Sequence, residues 1–380
     1  MLTKRVLISA GELSGDMHAS NLVQTVTKIS PYIRFYGMGS KLMQKAGVDI
    51  IVDSSHLSII GGLEIAVKFI KLASAFLTMR NTIHRNKPDL VVLVDYPGFN
   101  LLLAKIAKKA GVKVLYYISP KVWAWNQSRI KTIKKYVDMM AVIFPFEVEF
   151  YNKYQIPVQF VGNPLLKMVT PNLSQEVAKQ LFNISSKYKT VGLFPGSRLN
   201  EIKRLLPIML KAAKILKEQN PNLQFLLSQA PSITNNDLLP YLHASSIKPR
   251  IISGQNYDVM QSCDAIIAVS GTVTLEIALM EIPLIIIYTM SWFEYKFAKR
   301  LIKIPYIGLC NILANKKIVP ELLQYDATPS KIAEAISNIL NDENYRKKMI
   351  LNLQSIKKTL QNKEQKDISQ VIIEILNQAT

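Results

Sequence analysis

Short runs of almost uninterrupted apolar residues recur along this chain. Most are followed by a glycine- or proline-bearing turn and then by a segment of helical period. Residues 6–10, 88–94, 112–118, 139–143 and 158–161 form a first series, and 190–194, 223–228, 250–253, 265–269 and 284–288 a second. Runs of this length, apolar at consecutive rather than alternate positions, predict strands buried on both faces. The helical stretches between them predict the crossovers of a parallel sheet. The segment from about Lys167 to Lys189 is polar and loosely patterned and reads as a linker. The expectation is an α/β chain of two Rossmann-like domains, residues 1–168 and 188–349.

Two stretches depart from the plain alternation. In residues 57–80, Ile59, Leu63, Ala66, Ile70, Ala73 and Leu77 recur at helical spacing, and Ile60, Val67, Phe69 and Phe76 widen the stripe beyond one core face. This reads as a helix buried against the sheet or as an apolar surface for acyl chains or a membrane interface. Glu64, Lys68 and Lys71 interrupt it, and no uncharged apolar run reaches the roughly 18 residues of a spanning helix. Further on, Lys296, Lys299, Arg300 and Lys303 share one helical face, with Phe293, Phe297 and Leu301 on the next. That pattern fits a basic amphipathic element at a membrane surface, or a solvated helix against the core.

Composition narrows the classes. With 49% hydrophobic and 19% charged residues over 380 positions the chain is not disordered, and its net charge of +20 favours an anionic partner. Its two cysteines, Cys263 and Cys310, exclude a disulfide framework and a cysteine metal site and point to a reducing cytoplasm. The apolar start is too short for a signal-peptide core. Aromatic and basic residues mix in residues 119–138, a nucleic-acid-like composition, but there they open a helix within the α/β alternation.

The candidate chemistry lies in the turns. Ser270, Gly271 and Thr272 join a strand to a helix, so free amides and the helix dipole make a phosphate-sized anion site. Thr274 adds a hydroxyl. Glu276, four residues after Thr272, can accept from a ribose diol, or the Thr and Glu simply cap the helix. Gly196 and Ser197 offer backbone donors and Arg198 a guanidinium fork for phosphate, with Glu201 a first-turn stabiliser. Gly11 and Gly15 bracket another strand-to-helix turn, with Ser14 or Asp16 as its cap; the spacing does not fit the dinucleotide fingerprint. His18 reads as a helix residue on the loop side. Asp95 ends a buried strand, either as a carboxylate facing a ligand or as the cap of the helix opened by Pro97.

Strings spread over the whole chain resemble the lipid-A-disaccharide synthase family: AGELSGD (10–16), VDYPGFN (94–100), SPKVWAW (119–125), FPFE (144–147), VGNPLL (161–166), LFPGSRLNEI (193–202), SGTVTLE (270–276) and residues 298–324. One departure is Asn163, where the family usually has His. The resemblance implies a GT-B fold, two Rossmann-like domains facing across a cleft, with the last helices, about 350–380, packing back on the first domain. It implies a hexosyltransferase of lipid A biosynthesis in Gram-negative bacteria, cytoplasmic and peripheral on the inner membrane. The reaction would join UDP-2,3-diacylglucosamine to 2,3-diacylglucosamine 1-phosphate (lipid X), with inversion, to give lipid A disaccharide 1-phosphate and UDP.

By residue, the resemblance implies Asp95 as catalytic base and Gly196, Ser197, Arg198, Ser270, Gly271, Thr272, Thr274, Glu276 and Asn311 around the donor. Glu12, Ser14, Gly15, Asp16 and Asn100 fall on the acceptor side. Ile59, Leu63, Phe69, Ile70, Phe76, Phe293, Lys296, Phe297 and Arg300 would meet acyl chains or an anionic membrane surface. No metal, cofactor or nucleic acid is implied, and no pattern fixes the oligomeric state, which leaves a homodimer open. The competing readings are a GT-B enzyme on a UDP-N-acetylamino sugar (a peptidoglycan-type transferase or a 2-epimerase) and a non-catalytic binder of anionic lipid.

Overall fold

The computed structural model describes residues 3–55, 65–291, 295, 304–361 and 365–378, the side chains of 65–69 excepted. The chain divides into two compact units, Met1–Pro164 with Asn362–Thr380, and Leu165–Gln361.

In the first unit the strands are β1 (Lys4–Ala10), β2 (Ile33–Gly39), β3 (Asp49–Asp53), β4 (Leu90–Val94), β5 (Lys113–Tyr117), β6 (Met139–Val142) and β7 (Val158–Phe160). They form one parallel sheet in the order β3-β2-β1-β4-β5-β6-β7. Its helices are α1 (Leu13–Ile29), α2 (Lys41–Lys45), α3 (Ile65–Asn86), α4 (Pro97–Lys109), α5 (Arg129–Tyr136) and α6 (Phe146–Asn152). Alternate residues of each strand serve opposite cores. Leu7, Val91, Leu93, Val114 and Tyr116 pack with Met79 and Ile83 of α3, Leu103 of α4 and Ile133 of α5. Val6, Ile8, Val92, Val94 and Leu115 pack with Leu22, Val23 and Val26 of α1. Burial on both sides is why the inner parts of the central strands run apolar at consecutive positions.

The second unit repeats the design with β8 (Thr190–Phe194), β9 (Gln224–Gln229), β10 (Arg250–Ser253), β11 (Ala265–Val269), β12 (Leu284–Tyr288) and β13 (Glu321–Leu323), ordered β10-β9-β8-β11-β12-β13 and parallel. Its helices are α7 (Leu165–Met168), α8 (Gln175–Leu181), α9 (Leu199–Gln219), α10 (Asn235–His243), α11 (Asn256–Gln261), α12 (Thr272–Leu279), α13 (Leu309–Ala314), α14 (Pro329–Asn341) and α15 (Glu343–Leu360). The chain then returns to the first unit at Asn362, where α16 (Ile368–Asn377) seats Ile372 and Leu376 in the core beside α1. The return therefore starts after α15 and not near residue 350.

Several elements differ from the sequence reading. β2, β3 and β13 are not among the runs picked out above: glycines interrupt β2, β3 has only three apolar residues and is half-exposed at the sheet edge, and β13 has three residues. The polar segment after residue 167 is folded into the second unit. Asp258 accepts from the amides of Asn172 and Leu173, both at 2.9 Å, and Ala178 and Phe182 are buried. α1 starts at Leu13, so Ser14, Gly15 and Asp16 lie inside the helix rather than in a loop. On α3 the phase is the reverse of the apolar stripe. Ala75, Met79 and Ile83 are buried, whereas Ile70 is 69% and Leu77 50% exposed.

Candidate functional site

The strand order reverses once in each unit, between β1 and β4 and between β8 and β11. Open parallel sheets take ligands beyond the carboxyl ends of their strands at such a point. Glu12 follows β1 and Asp95 follows β4; the turn 196–198 follows β8 and the turn 270–272 follows β11. The residues singled out from sequence thus fall at equivalent places in two separate sheets.

In the first unit Asp95 and Tyr96 are consecutive left-handed residues, φ 46° and 48°, a conformation worth roughly 1–3 kcal/mol of strain at each non-glycine position. The surroundings hold it. The Asp95 amide donates to Tyr117 O at 3.1 Å, and its carbonyl accepts from Asn100 Nδ2 at 2.8 Å and the Tyr116 hydroxyl at 2.6 Å. The Tyr96 ring lies over Gly11 so closely that a Cβ there would sit 2.1 Å from it. Tyr96, and not Asp95, occupies the cap position of α4, with no side-chain cap bond. The capping reading of Asp95 is thereby corrected: the turn leaves its carboxyl out of the helix. Burial, then the neighbouring charge of Glu12, push that carboxyl from 3.8 up to about 6, while the Tyr96 amide and Lys121 oppose the rise.

The other acceptor-side residues divide. Glu12 is exposed at the cap position of α1, and Ser14 is exposed in its first turn. Gly15 is buried where its chain passes Ala10 and Val94. Asp16 is fully buried and caps α2, accepting from the Ser40 amide at 2.5 Å, the Ser40 hydroxyl at 2.6 Å and the Leu42 amide at 3.1 Å. Asn100 is also fully buried. It donates to the carbonyls of Ser9, Val94 and Asp95 and accepts from the Ser9 hydroxyl at 2.7 Å, tying the ends of β1 and β4 together. Asp16 is thus directed at the start of α2 and Asn100 at the turn after β4. Asn163 is buried just beyond β7. His18 is mostly buried, and its desolvated ring is held down to about 4, so it is neutral.

Sequence reasoning assigned no role to Glu147, although it lies in the FPFE string. It is fully buried, accepts from the Trp123 indole and the Phe144 amide, both at 3.1 Å, and burial raises its carboxyl to about 7. It pins the loop after β5 to the loop after β6. A charged residue inside an otherwise apolar string was the available signal.

In the second unit the amides of Ser197 and Arg198 are occupied. Glu201 Oε2 accepts from the Ser197 amide at 3.1 Å and the Arg198 amide at 3.3 Å, and its Oε1 lies 3.2 Å from Arg198 Nη1. Gly196 has φ 109°, and a Cβ there would meet Glu201 Oε2 at 2.3 Å. The expected free amides are corrected accordingly: an internal carboxylate already fills the anion cradle. The Arg198 side chain remains 70% exposed. At the turn 270–272, Gly271 and Thr272 are exposed, and no described residue accepts the amides of Thr272 and Val273. The Ser270 hydroxyl donates to Ile307 O at 3.3 Å. Thr274 is fully buried and its hydroxyl bonds Gly271 O at 2.8 Å, so it braces the turn. Glu276 is half-buried, hydrogen-bonded by Tyr257, and raised by burial.

Asn311 is fully buried. It accepts from the amides of Ile318 and Val319 and donates to Val319 O and Glu321, a clamp on the chain at β13. Among the acyl-contact candidates Ile70 faces outward, but Phe76 packs in the core edge-on to Phe99, ring centroids 5.7 Å apart, and is not a surface anchor. The backbone of Phe69 belongs to α3. Ile59, Leu63, Phe293, Lys296, Phe297 and Arg300 lie outside the described residues. Among the described residues no helix is long and apolar enough to cross a membrane, and no cluster has metal-ligand spacing.

The chain matches the family model "Lipid-A-disaccharide synthetase" over residues 6–375. It is 48% identical over 94% of its length, and 93% of the relative's, to the lipid-A-disaccharide synthase of Geobacter metallireducens. Among solved structures, the UDP-GlcNAc 2-epimerase from Neisseria meningitidis bound to UDP-GlcNAc aligns over 98% of this chain and 99% of that one, with TM-score 0.64 and 13% identity. Acinetobacter baumannii MurG aligns over 99% of each chain, with TM-score 0.54 and 13% identity. These last two likenesses establish the GT-B fold and nothing further.

Proposed function

The chain belongs to the lipid-A-disaccharide synthetase family of glycosyltransferases, and on that premise we propose its reaction. It transfers a 2,3-diacylglucosamine unit from UDP to 2,3-diacylglucosamine 1-phosphate, with inversion, giving a β-1,6-linked disaccharide 1-phosphate and UDP. The observation that carries this reading is Asp95, a carboxyl at the switch point of the first sheet, kept out of the helix cap and raised to about 6.

Inversion in one displacement needs a base on the acceptor and a stabilised leaving group. Asp95 removes the proton from the acceptor hydroxyl as that oxygen attacks the anomeric carbon of the donor. The anomeric C–O bond to the diphosphate breaks, and UDP departs with the electron pair. A carboxyl at about 6 is ionised at neutral pH yet more basic than an ordinary aspartate, which suits a general base. At the second sheet, Arg198 and the amides that open α12 take the diphosphate, and Glu276 takes the ribose hydroxyls. Glu201 has to yield the 197–198 amides if phosphate is to use them.

The acylated substrates reside in a membrane. Outward-facing Ile70 and Leu77 on α3, on a chain of net charge +20, suit reversible contact with an anionic lipid surface. The test is direct: purified protein is incubated with UDP-2,3-diacylglucosamine and 2,3-diacylglucosamine 1-phosphate, and products are read by mass spectrometry. UDP and disaccharide 1-phosphate should appear together. UDP formed equally without the acceptor, or no product, would sink the proposal.

A further inference from the structure

The loop that leaves β5 stands next to Asp95. β5 pairs with β4 in register through Val94 and Tyr117, and the Asp95 amide donates to Tyr117 O at 3.1 Å. This loop is held from beneath. Val122, Trp123 and Ala124 are buried, the Trp123 indole donates to Glu147 at 3.1 Å, and the Ser119 and Tyr151 hydroxyls lie 2.6 Å apart. What the loop presents outward is therefore fixed in place. It presents Trp125, 45% exposed, with the Arg129 guanidinium carbon 5.3 Å from its ring centroid.

Arg129 has no carboxylate within ion-pair distance among the described residues, and its side chain makes no hydrogen bond there, whereas Lys4 and Lys108 of the same unit are paired with Asp89 and Asp138. A cation–π contact of this kind uses no N–H acceptor and so leaves the guanidinium donors, in the fork that matches a phosphate, for a ligand. The charge also reaches inward. Arg129 acts on the Tyr116 phenol, whose hydroxyl is 2.6 Å from the Asp95 carbonyl, and Lys121 of the same loop acts on the Asp95 carboxyl.

We infer that Arg129, held over the Trp125 ring, is the anion-binding residue of the acceptor subsite and that its ligand is a sugar phosphomonoester. The inference rests on the reading of Asp95 as acceptor base. A cation on the same sheet edge as that base meets the acceptor rather than the donor, and the proposed acceptor carries a phosphate on its sugar. The fork takes the phosphate oxygens, and the half-exposed indole beside it borders the sugar ring. Lys in place of Arg129 keeps the charge but loses the fork.

The experiment compares two acceptors, 2,3-diacylglucosamine 1-phosphate and its dephosphorylated form, with wild type, Arg129→Ala, Arg129→Lys and Trp125→Leu. A charge-assisted contact of this kind is worth about tenfold or more in affinity. Arg129→Ala should therefore raise the acceptor KM at least about tenfold more for the phosphorylated acceptor than for the other, while leaving the donor KM and the melting temperature in place. Arg129→Lys and Trp125→Leu should fall between. Equal losses on both acceptors, or a loss confined to the donor KM, would overturn the inference while leaving the proposed reaction standing. If wild type transfers nothing, the reaction itself fails. The subsite is then decided by binding of glucosamine 1-phosphate against glucosamine, with equal affinity for the two, or preference for an RNA oligonucleotide over both, as the refuting result.

Discussion

Replacing Asp95 by Asn should make the protein slower and more stable at once. The backbone at this position has φ 46°, and Asn tolerates the left-handed region as well as Asp does, so the turn survives. The amide and carbonyl bonds to Tyr117, Asn100 and Tyr116 are backbone bonds of residue 95 and are kept. What disappears is an ionised carboxyl that burial and Glu12 disfavour, raising it from 3.8 to about 6. A rise of that size corresponds to about 3 kcal/mol at most.

The sign follows from the direction of that rise. The wild-type fold is free of this penalty below about pH 4, incurs it progressively as the carboxyl ionises through about 6, and carries all of it above. The gain in melting temperature on Asp95→Asn should be absent at pH 4 and reach several degrees at pH 8, at about 2–4 °C per kcal/mol for a domain of this size. Turnover should fall roughly 10²–10⁴-fold with the loss of a positioned base. Asp95→Ala should lose activity similarly, but in the left-handed backbone it gives up about 1 kcal/mol relative to Asn. Disaccharide formation under saturating substrates and differential scanning calorimetry at the two pH values read both arms. A fully active Asn variant refutes the base. A melting shift equal at pH 4 and pH 8 refutes the electrostatic account of the site.

Five other outcomes are expected. Glu12→Gln should lower the acidic limb of the kcat/KM pH profile below about 6, since the Glu12 charge helps raise Asp95; an unmoved limb would disconnect the two residues. Glu201→Gln removes the carboxylate that holds the Ser197 and Arg198 amides, so UDP should bind several-fold tighter by calorimetry. Arg198→Ala should weaken UDP by about 1.5–3 kcal/mol, and the opposite ordering of these two variants would refute the cradle assignment. Glu147→Gln should be more stable than wild type above about pH 7 and equal to it near pH 4, because the buried carboxyl is raised from 4.5 to about 7; equal stability at alkaline pH would mean that the charge is compensated in some other way. Sedimentation with anionic and neutral liposomes should show salt-sensitive binding to the former that Ile70→Ser with Leu77→Ser reduces; identical binding to both lipids would remove the charge term.

Much of the architecture was legible because buried parallel strands require apolar side chains on both faces, which writes them as unbroken runs. The phase of α3 was not legible. Its apolar residues wrap more than one face, so periodicity alone favoured the stripe through Ile70 and Leu77, while the sheet receives Ala75, Met79 and Ile83. The polar stretch near Lys167 looked like a linker because its anchor, Asp258, lies far away in the chain and reaches it only in the fold.

The sequence by itself determined the class of fold, the family and the turns where chemistry is placed, since strand runs and turn strings are local and survive being read one residue after another. The tertiary structure alone decided which polar groups in those turns remain available. Asp16, Asn100, Thr274 and Asn311 were all plausible ligand residues, and each directs hydrogen bonds at backbone or side-chain groups inside the fold. The amides of 197 and 198 are taken by Glu201. Asp95 keeps its carboxyl because two left-handed residues turn the chain before α4 can claim it. A buried polar group must find a partner, and whether that partner is the protein or a substrate depends on residues brought together from distant parts of the chain.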